Sequence, residues 1–371
     1  KIIVASSGKI ESLDPARANT LKAIQLISSL GDTLYELNSN GELIPELASG
    51  MPIISKDRLQ ITINLRKNVF FHDGTAFNSN AMKFTFDRFK RIGTMNYILG
   101  NKIKSIETPS EYSVIINLNK PSSSLNGLLT SVNLTPISPT FYKQYSDKFL
   151  NEKFVGTGKY VLTSFSNEVQ SIDPYLNYWG EKPLNKGVNF VGYSNSSSLF
   201  GALKSKQIDV LLSNSIDDSQ RKSLNNLSKN KQFNEGNSPF TELSFISLKT
   251  SSYPLSNLNL RLALAKSLNR KLISEKVSYG LRKPSRSIIP PILKKDNQEL
   301  WPKYDYLEAR RLLQKENYCN GNILKIPLTY RSNVPADKLI ALTWQEEIKN
   351  SLKDCIDIEL NGVESTTVYK N

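Results

Sequence analysis

The side chains in this 371-residue sequence that could do chemistry include a single histidine, two cysteines and 34 acidic residues. The histidine, His72, stands directly before Asp73 and Gly74. A histidine beside a carboxylate can be a catalytic base, a metal ligand or part of a turn. Asp-Gly favours a tight turn, because aspartate bonds back to the local backbone and glycine tolerates positive φ. We interpret His72, Asp73 and Gly74 as a structural turn and keep catalysis or metal ligation as the alternative.

The two cysteines each precede a predicted strand. Cys319 lies shortly before one strand and Cys355 directly before the next, so both belong to the same edge of a predicted parallel pair. Neighbouring strands lie about 4.8 Å apart, which is within reach of a disulfide. We predict a disulfide between Cys319 and Cys355, which would imply an oxidising compartment. Two free, buried thiols are the alternative.

Motifs of the common enzyme classes are absent from the sequence. It has no GxSxG, and the stretch VGTGKY (155–160) has too few glycines for a phosphate-binding loop and runs into a strand-like segment. One histidine and two cysteines do not make a zinc cluster. A carboxylate pair for glycoside hydrolysis stays open as an alternative, although nothing singles out a pair. We therefore predict no enzyme, no catalytic residue, no metal and no cofactor.

The charge is strongly positive but dispersed. Lysine and arginine outnumber aspartate and glutamate by 48 to 34, a formal charge of +14. The basic residues come singly or in pairs, without the pattern of a nucleic-acid module, so we predict no nucleic-acid partner. No apolar run reaches the roughly 18 residues that span a bilayer. The first residues lack the pattern of a signal peptide, so the chain is cytosolic or has lost a targeting segment.

Periodicity predicts the elements that must position these residues. Residues 59–65 and 112–118 alternate apolar and polar side chains, which predicts two half-buried antiparallel strands. Between them Asn78 can cap a helix while Phe77 packs on Met82 as a hydrophobic staple. Strand, helix and strand at this spacing indicate a small α+β unit.

The second half of the chain predicts a different unit. Apolar positions from Leu260 to Ile273 trace one helical stripe. Further on, strand 323–330, a helix with Pro335 in its first turn and strand 356–360 form a parallel crossover unit. A chain of this length usually divides into two or more lobes.

Several motifs in a fixed order resemble one protein family. They are LRKNVFFHDGTAFNSNAMKFTFDR, SLDPA, ELIPELASG, VGTGKY, NYWGEKP, LRLALAKSLNR and YDYLEARRLLQKENY, and they span nearly the whole chain. Together they are similar to the family 5 extracellular solute-binding proteins, the peptide- and nickel-type binding components of ABC importers.

The resemblance implies an α/β fold with two lobes, of the periplasmic-binding-protein type (class II). Lobe I would be residues 1–240 with an inserted α+β subdomain at about 35–155, and lobe II would be residues 241–371. Family members are usually longer, so lobe II would lack its C-terminal portion and the return to lobe I. The chain would then be either cut short or a natural short form.

The resemblance also implies the function. The lobes would close on a solute and deliver it to the transmembrane subunits of an ABC permease, with no bond broken. An oligopeptide is the predicted ligand, and a metal chelate or glycan fragment is the alternative. The protein would be a monomer in the periplasm or tethered to the outer face of the cytoplasmic membrane of a bacterium.

Site residues are carried over from the family segment by segment. The loop 6–10 after the first strand, an aromatic after the signature helix, the segment 131–136 and a predicted hinge strand at 241–248 would line the ligand site. The residues implied are Ser7, Gly8, Lys9, Tyr97, Asn133, Thr135, Glu242, Ser244 and Phe245. Each also has a structural alternative: Tyr97 as ordinary core, for example, and the loop 6–10 as an ordinary turn.

Overall fold

The structure is a computed structural model. It describes residues 1–38, 40–99, 101–122, 127, 129–145, 147–212, 215–236, 243–285, 287–289, 300–332 and 334–364. The chain divides into two compact units, Lys1–Leu212 and Ser213–Asn371, which are described separately. The lobe boundary implied by the family resemblance, between residues 240 and 241, stays a prediction.

The first unit contains eleven strands among its described residues. They are β1 (Ile2–Ser7), β2 (Tyr35–Leu37), β3 (Leu43–Pro45), β4 (Ile53–Ile54), β5 (Gln60–Asn64), β6 (Ile103–Ser110), β7 (Ser113–Leu118), β8 (Tyr160–Phe165), β9 (Val169–Pro174), β10 (Val188–Tyr193) and β11 (Val210–Leu211). A five-stranded sheet has the order β11-β1-β10-β9-β8, with β1 parallel to both of its neighbours. A four-stranded antiparallel sheet has the order β4-β5-β7-β6, and β2 pairs with β3.

The described residues of the first unit include five α-helices. They are α1 (Leu21–Leu30), α2 (Ser79–Ile92), α3 (Asn96–Leu99), α4 (Pro139–Tyr142) and α5 (Ser196–Lys204). Helix α1 buries its apolar stripe in a core shared with the five-stranded sheet, and α2 does the same with the four-stranded sheet. The first unit therefore has two cores, one for each sheet.

The predicted α+β unit is present around α2. Strands β5 and β7 pair antiparallel, as the alternation predicts. Asn78 caps α2 by accepting a hydrogen bond from the backbone N–H of Ala81. Phe77 and Met82 are both buried in the adjoining core, as expected for a hydrophobic staple.

The second unit is built around a parallel crossover. Its described elements are α6 (Asp218–Lys229), α7 (Leu258–Ser267), α8 (Arg270–Ser278), α9 (Tyr306–Lys315), β12 (Leu324–Arg331), α10 (Pro335–Ser351) and β13 (Ile356–Val363). Strands β12 and β13 are parallel and in register from Leu324 opposite Ile356 to Arg331 opposite Val363. Trp344 and Ile348 of α10 lie in the core that covers this pair.

Two sequence predictions for this unit were wrong. The apolar stripe from Leu260 to Ile273 is divided between two helices, α7 and α8. Helix α7 ends at Ser267, and Asn269 caps the start of α8 by accepting a hydrogen bond from the backbone N–H of Leu272. Residues 243–248, predicted as a strand, have no strand partner among the described residues. Ile246 and Leu248 still pack on the core at alternate positions, and this burial explains the alternation without a sheet.

A disulfide joins Cys319 to Cys355, in front of β12 and β13. Both cysteines are buried. On the chain-entropy model a loop with a sequence separation of 36 residues is stabilised by about 4 kcal/mol. The bridge therefore restricts the unfolded chain and in this way stabilises the folded crossover unit.

Candidate ligand-binding site

The loop after β1 is shaped by a glycine and a lysine. Gly8 has φ +76°, and its N–H donates to the carbonyl of Tyr193 at 2.7 Å. The ammonium of Lys22 donates to the carbonyl of Ser7, and a Cβ at position 8 would lie 2.6 Å from that ammonium. A side chain at position 8 would therefore be strained and would displace Lys22.

Behind this loop lies a shallow depression with a volume of about 10 Å³, room for roughly one water. It is lined by Gly8 and Lys9 of the loop, Lys22 and Gln25 of α1, and Gly192 of β10. A Cβ at position 192 would come within 2.6 Å of the carbonyl oxygen of Gly8. Because Gly8 and Gly192 have no side chains, their backbone groups form part of the wall of the depression.

One polar atom of this depression has no partner. The Oε1 of Gln25 is buried without a hydrogen bond among the residues that the structure describes. Burying a polar atom unpaired costs about 1–3 kcal/mol, so a water or a ligand N–H is the expected partner. This orphan acceptor was not predicted from the sequence, because a glutamine inside an amphipathic helix gives no local signal.

Charged residues of both signs line the depression: Lys9, Lys22 and Glu168. Burial lowers the pKa of the Lys22 amine, and the nearby charge of Glu11 opposes that change. Lys9 is exposed. Lys22 and Gln25 are further residues beside the loop 7–9. That Ser7, Gly8 and Lys9 contact the ligand stays a prediction.

Asn133 and Thr135 lie in a different part of the first unit. The amide of Asn133 donates to the carbonyls of Pro15 and Ala18 at 2.7 and 2.9 Å. Thr135 has no exposed surface, and its hydroxyl is buried without a partner in the described residues. The Asn133 side chain joins two chain segments, and the burial of Thr135 favours packing over direct contact with a solute.

Tyr97, Ser244, Phe245 and Glu242 are the remaining predicted site residues. Tyr97 is 69% exposed in α3, so the alternative of a core residue is wrong. In the second unit Ser244 is exposed and Phe245 is 67% exposed. Glu242 lies outside the described residues. The ligand contacts of Tyr97, Ser244, Phe245 and Glu242 stay predictions.

His72 lies in a tight turn fastened to the VGTGKY segment. Its ring Nε2 lies 2.9 Å from the carbonyl of Gly158, and its ring packs edge-on against Tyr175. The Asp73 carboxylate accepts from the backbone N–H and hydroxyl of Thr75 at 3.0 and 2.6 Å. Gly74 has φ +80°. These contacts describe a turn of the kind predicted for residues 72–74.

The electrostatics of His72 favour the neutral ring. Burial lowers the pKa of His72, while the hydrogen bond to Gly158 and the charge of Asp73 oppose that change. A ring that donates from Nε2 carries its lone pair on Nδ1. This Nδ1 atom is buried and has no partner among the described residues.

A buried carboxylate that the sequence did not reveal lies close to this turn. Asp32 is 4% exposed and accepts hydrogen bonds from the Thr157 hydroxyl, the Tyr178 hydroxyl and the Trp179 indole at 3.0, 3.1 and 2.9 Å. Thr157 belongs to VGTGKY, and the two aromatic residues belong to NYWGEKP. Two motifs that carried the family resemblance therefore converge on Asp32.

Glu46 interacts with Asp32 through charge and accepts hydrogen bonds from Thr33. Burial, followed by the charge of Asp32, raises the pKa of Glu46 to about 7, and hydrogen bonds from Thr33 oppose the rise. Burial likewise raises the pKa of Asp32, against the hydrogen bonds from Trp179, Thr157 and Tyr178. Each of the two carboxyl groups therefore binds its proton more tightly than an exposed carboxyl group does.

The described residues contain no group of three histidine, cysteine, aspartate or glutamate side chains arranged to hold a metal ion. Within the same residues no helix combines the length and the apolar character needed to cross a membrane.

The sequence and the fold define a class of binding proteins. The sequence profile of the bacterial extracellular solute-binding proteins, family 5 (Middle), matches residues 42–371. The chain belongs to this family, as the motifs predicted. Its members are solute-binding proteins of ABC transporters and not enzymes, and they are extracellular or periplasmic.

Particular relatives are similar over most of the chain. The glutathione-binding protein GsiB of Escherichia coli O6:K15:H31 is 26% identical over 357 residues, which are 95% of this chain and 68% of GsiB. GsiB of Salmonella choleraesuis is 25% identical with the same coverage of both chains.

Solved structures share the fold. DppA from Helicobacter pylori, in complex with the peptide STSA, aligns with a TM-score of 0.82 at 23% identity over 100% of this chain and 75% of DppA. NikA from Brucella suis, in complex with Fe(III)-EDTA, aligns with a TM-score of 0.81 at 23% identity over 100% of this chain and 76% of NikA. The mixed α/β fold is that of the two-lobed periplasmic binding proteins, as predicted.

Proposed function

We propose that this solute-binding protein captures an oligopeptide and delivers it to the transmembrane subunits of an ABC permease. The observation that carries the proposal is the match to the family 5 solute-binding proteins, among whose relatives are proteins named for binding glutathione. The buried, unpaired Oε1 of Gln25 lies beside the loop 7–9, next to a depression with room for about one water, and would meet the ligand directly or through that water. A peptide supplies backbone N–H groups that can satisfy such an acceptor.

The relatives support the same class of ligand. Several curated relatives are named glutathione-binding proteins, and glutathione is itself a tripeptide. Solved structures of the same fold hold a peptide in one case and a metal chelate in another, so the fold alone does not choose between these ligands. His72, bonded to Gly158 and packed on Tyr175, is held away from chelate binding.

The remaining assignments belong to the same proposal. Residues 1–240 form lobe I with a subdomain at about 35–155, and residues 241–371 form lobe II. The protein acts as a monomer without a nucleic-acid partner, in the periplasm or tethered to the outer face of the cytoplasmic membrane. The metal chelate and the glycan fragment are the alternative ligands.

A ligand panel tests the proposal. Thermal unfolding is followed with trialanine, tetraalanine, glutathione, a nickel–histidine chelate and cellobiose. A ligand that binds only the folded state raises the melting temperature with its concentration. We expect at least one of the three peptides to do so and the chelate and sugar to have no effect. Stabilisation by the chelate or the sugar alone would reject the peptide assignment.

Matched glutamine variants locate the site. The substitution Gln25→Leu removes the unpaired acceptor. It should lower the affinity for the peptide identified in the panel by about fivefold, which corresponds to a loss of roughly 1 kcal/mol of binding free energy. Gln207 is exposed in the same unit, and Gln207→Leu is the control with unchanged affinity. Equal affinities for the wild type and Gln25→Leu would remove Gln25 from the site.

A further inference from the structure

A second cavity lies in the first unit, between helix α2 and strand β6. Its volume is about 240 Å³, close to the lower limit of about 300 Å³ for pockets that hold drug-sized ligands. The size suits a single-ring molecule. Nothing in the proposed transport function uses this cavity.

The floor of the cavity is apolar. It consists of Phe86 and Phe89 of α2 and of Ile103 and Ile106 of β6. Each of these side chains is at most 8% exposed, and all four belong to the core beneath. A ligand that rests on this floor contacts a rigid, packed surface.

The rim is cationic. Lys83, Lys90 and Lys104 line it together with one acidic residue, Asp87. Lys83 pairs with Asp87 at 2.8 Å, and the Lys90 ammonium donates to the carbonyl of Ile103 at 3.1 Å. Lys104 is exposed, and no carboxylate of the described residues pairs with it. Three ammonium groups against one carboxylate leave an excess of positive charge around an apolar floor.

The backbone places Lys104 at this rim. Ile103 of β6 lies opposite Leu118 of β7, whereas Ser105 lies opposite Asn117. Two steps along β6 therefore correspond to one step along β7, and Lys104 is the extra residue of a β-bulge. Bulges redirect a side chain and are frequent beside functional sites. Strand β6 is also an edge strand of its sheet, so the bulge disturbs only one ladder.

We propose that this cavity, which we name the α2–β6 pocket, binds a small organic carboxylate with an apolar body. The apolar body lies on Phe86, Phe89, Ile103 and Ile106, and the carboxylate faces the lysines of the rim. The floor offers a small apolar contact that favours a ring over a smaller anion, and the ammonium groups bind the carboxylate. The site is independent of the peptide ligand and stands or falls separately from it.

Phenylacetate is the probe for calorimetric titration of the full chain. Phenylacetamide has the same shape without the charge, and acetate has the charge without the ring. We expect saturable 1:1 binding of phenylacetate and binding at least about tenfold weaker for both comparison compounds. Equal binding of phenylacetamide would overturn the role of the lysines, and equal binding of acetate would overturn the role of the floor.

Lysine variants place the binding site. Lys104→Gln and Lys83→Gln should each lower the affinity for phenylacetate by about tenfold. Lys56 is exposed in the turn between β4 and β5 of the same sheet, away from the lining, and Lys56→Gln is the control with unchanged affinity. Loss of affinity in the control to the same degree, or no loss in Lys104→Gln and Lys83→Gln, would contradict the α2–β6 pocket. Circular dichroism of each variant verifies that it is folded.

Discussion

At the scale of the residue, His72 shows how a side chain with catalytic potential becomes a structural one. Its Nε2 donates to the carbonyl of Gly158, its backbone N–H donates to Gly156, and its ring lies against Tyr175. These bonds use the donor capacity of the neutral ring. The histidine therefore joins the turn at residues 72–74 to the VGTGKY segment.

Replacement of His72 should affect stability and not ligand affinity. His72→Ala loses a buried hydrogen bond and leaves the Gly158 carbonyl without it, so we expect unfolding to become easier by about 1–3 kcal/mol in urea titrations. The affinity of the folded variant for a peptide ligand should stay within twofold of wild type.

A second substitution at the same position separates the two roles. His72→Gln carries an amide that can still donate to Gly158, so it should lose less stability than His72→Ala. If His72→Ala kept its stability and lost peptide affinity tenfold, the result would contradict the structural role and indicate that His72 takes part in ligand binding.

At the scale of the element, Asp32 and Glu46 connect α1, the β2–β3 hairpin and the two segments 155–160 and 177–183. The end of α1 leads directly into Asp32, and Glu46 follows β3. Burial raises the pKa of both carboxyls, while Lys159 beside Asp32 opposes the rise there and Glu36 beside Glu46 adds to it. The packing of these segments is thus coupled to protonation.

The sign of this coupling predicts a pH profile. The pKa of Glu46 rises from 4.5 to about 7 in the folded protein, so the folded state binds its proton more tightly than the unfolded chain. Its contribution to stability is complete below pH 4.5 and is lost as the pH rises through about 7. We expect Glu46 to cost the wild type about 2 kcal/mol of unfolding free energy between pH 5 and pH 8, after allowance for partial exposure, and the lowered pKa of His72 to offset part of this loss.

Urea titrations of matched glutamine variants check this profile. Glu46→Gln cannot ionise and should lose markedly less stability across the same pH range. Glu181 is exposed, and Glu181→Gln should keep the wild-type profile. A Glu46→Gln profile that falls as steeply with pH as that of the wild type would contradict the assignment.

At the scale of the whole molecule, local sequence signals predicted helices and strands but not the pairing of strands that are far apart in the sequence. The start of α2 was predicted because the Asn78 cap and the Phe77–Met82 staple are encoded within a few residues. The crossover of β12, α10 and β13 was predicted because its strands and helix are consecutive. The five-stranded sheet was not, since β1 pairs with β10, and Ile2 lies opposite Val188.

The candidate site shows the same division. The loop at residues 7–9 came from family resemblance, which carries information on distant contacts that periodicity lacks. Gln25 and Lys22 were missed because they approach that loop only through the packing of α1 on the sheet. Asp32 was missed as well, although the motifs VGTGKY and NYWGEKP that converge on it had both been recognised.

Native mass spectrometry tests whether the protein captures an intact peptide. The purified chain is incubated with an equimolar mixture of tripeptides to pentapeptides, and complexes and free peptides are weighed at once and after a day. We expect 1:1 complexes whose added masses match intact peptides, with every free peptide unchanged. Cleaved peptides, or a single non-peptide adduct that the peptide mixture does not displace, would contradict it.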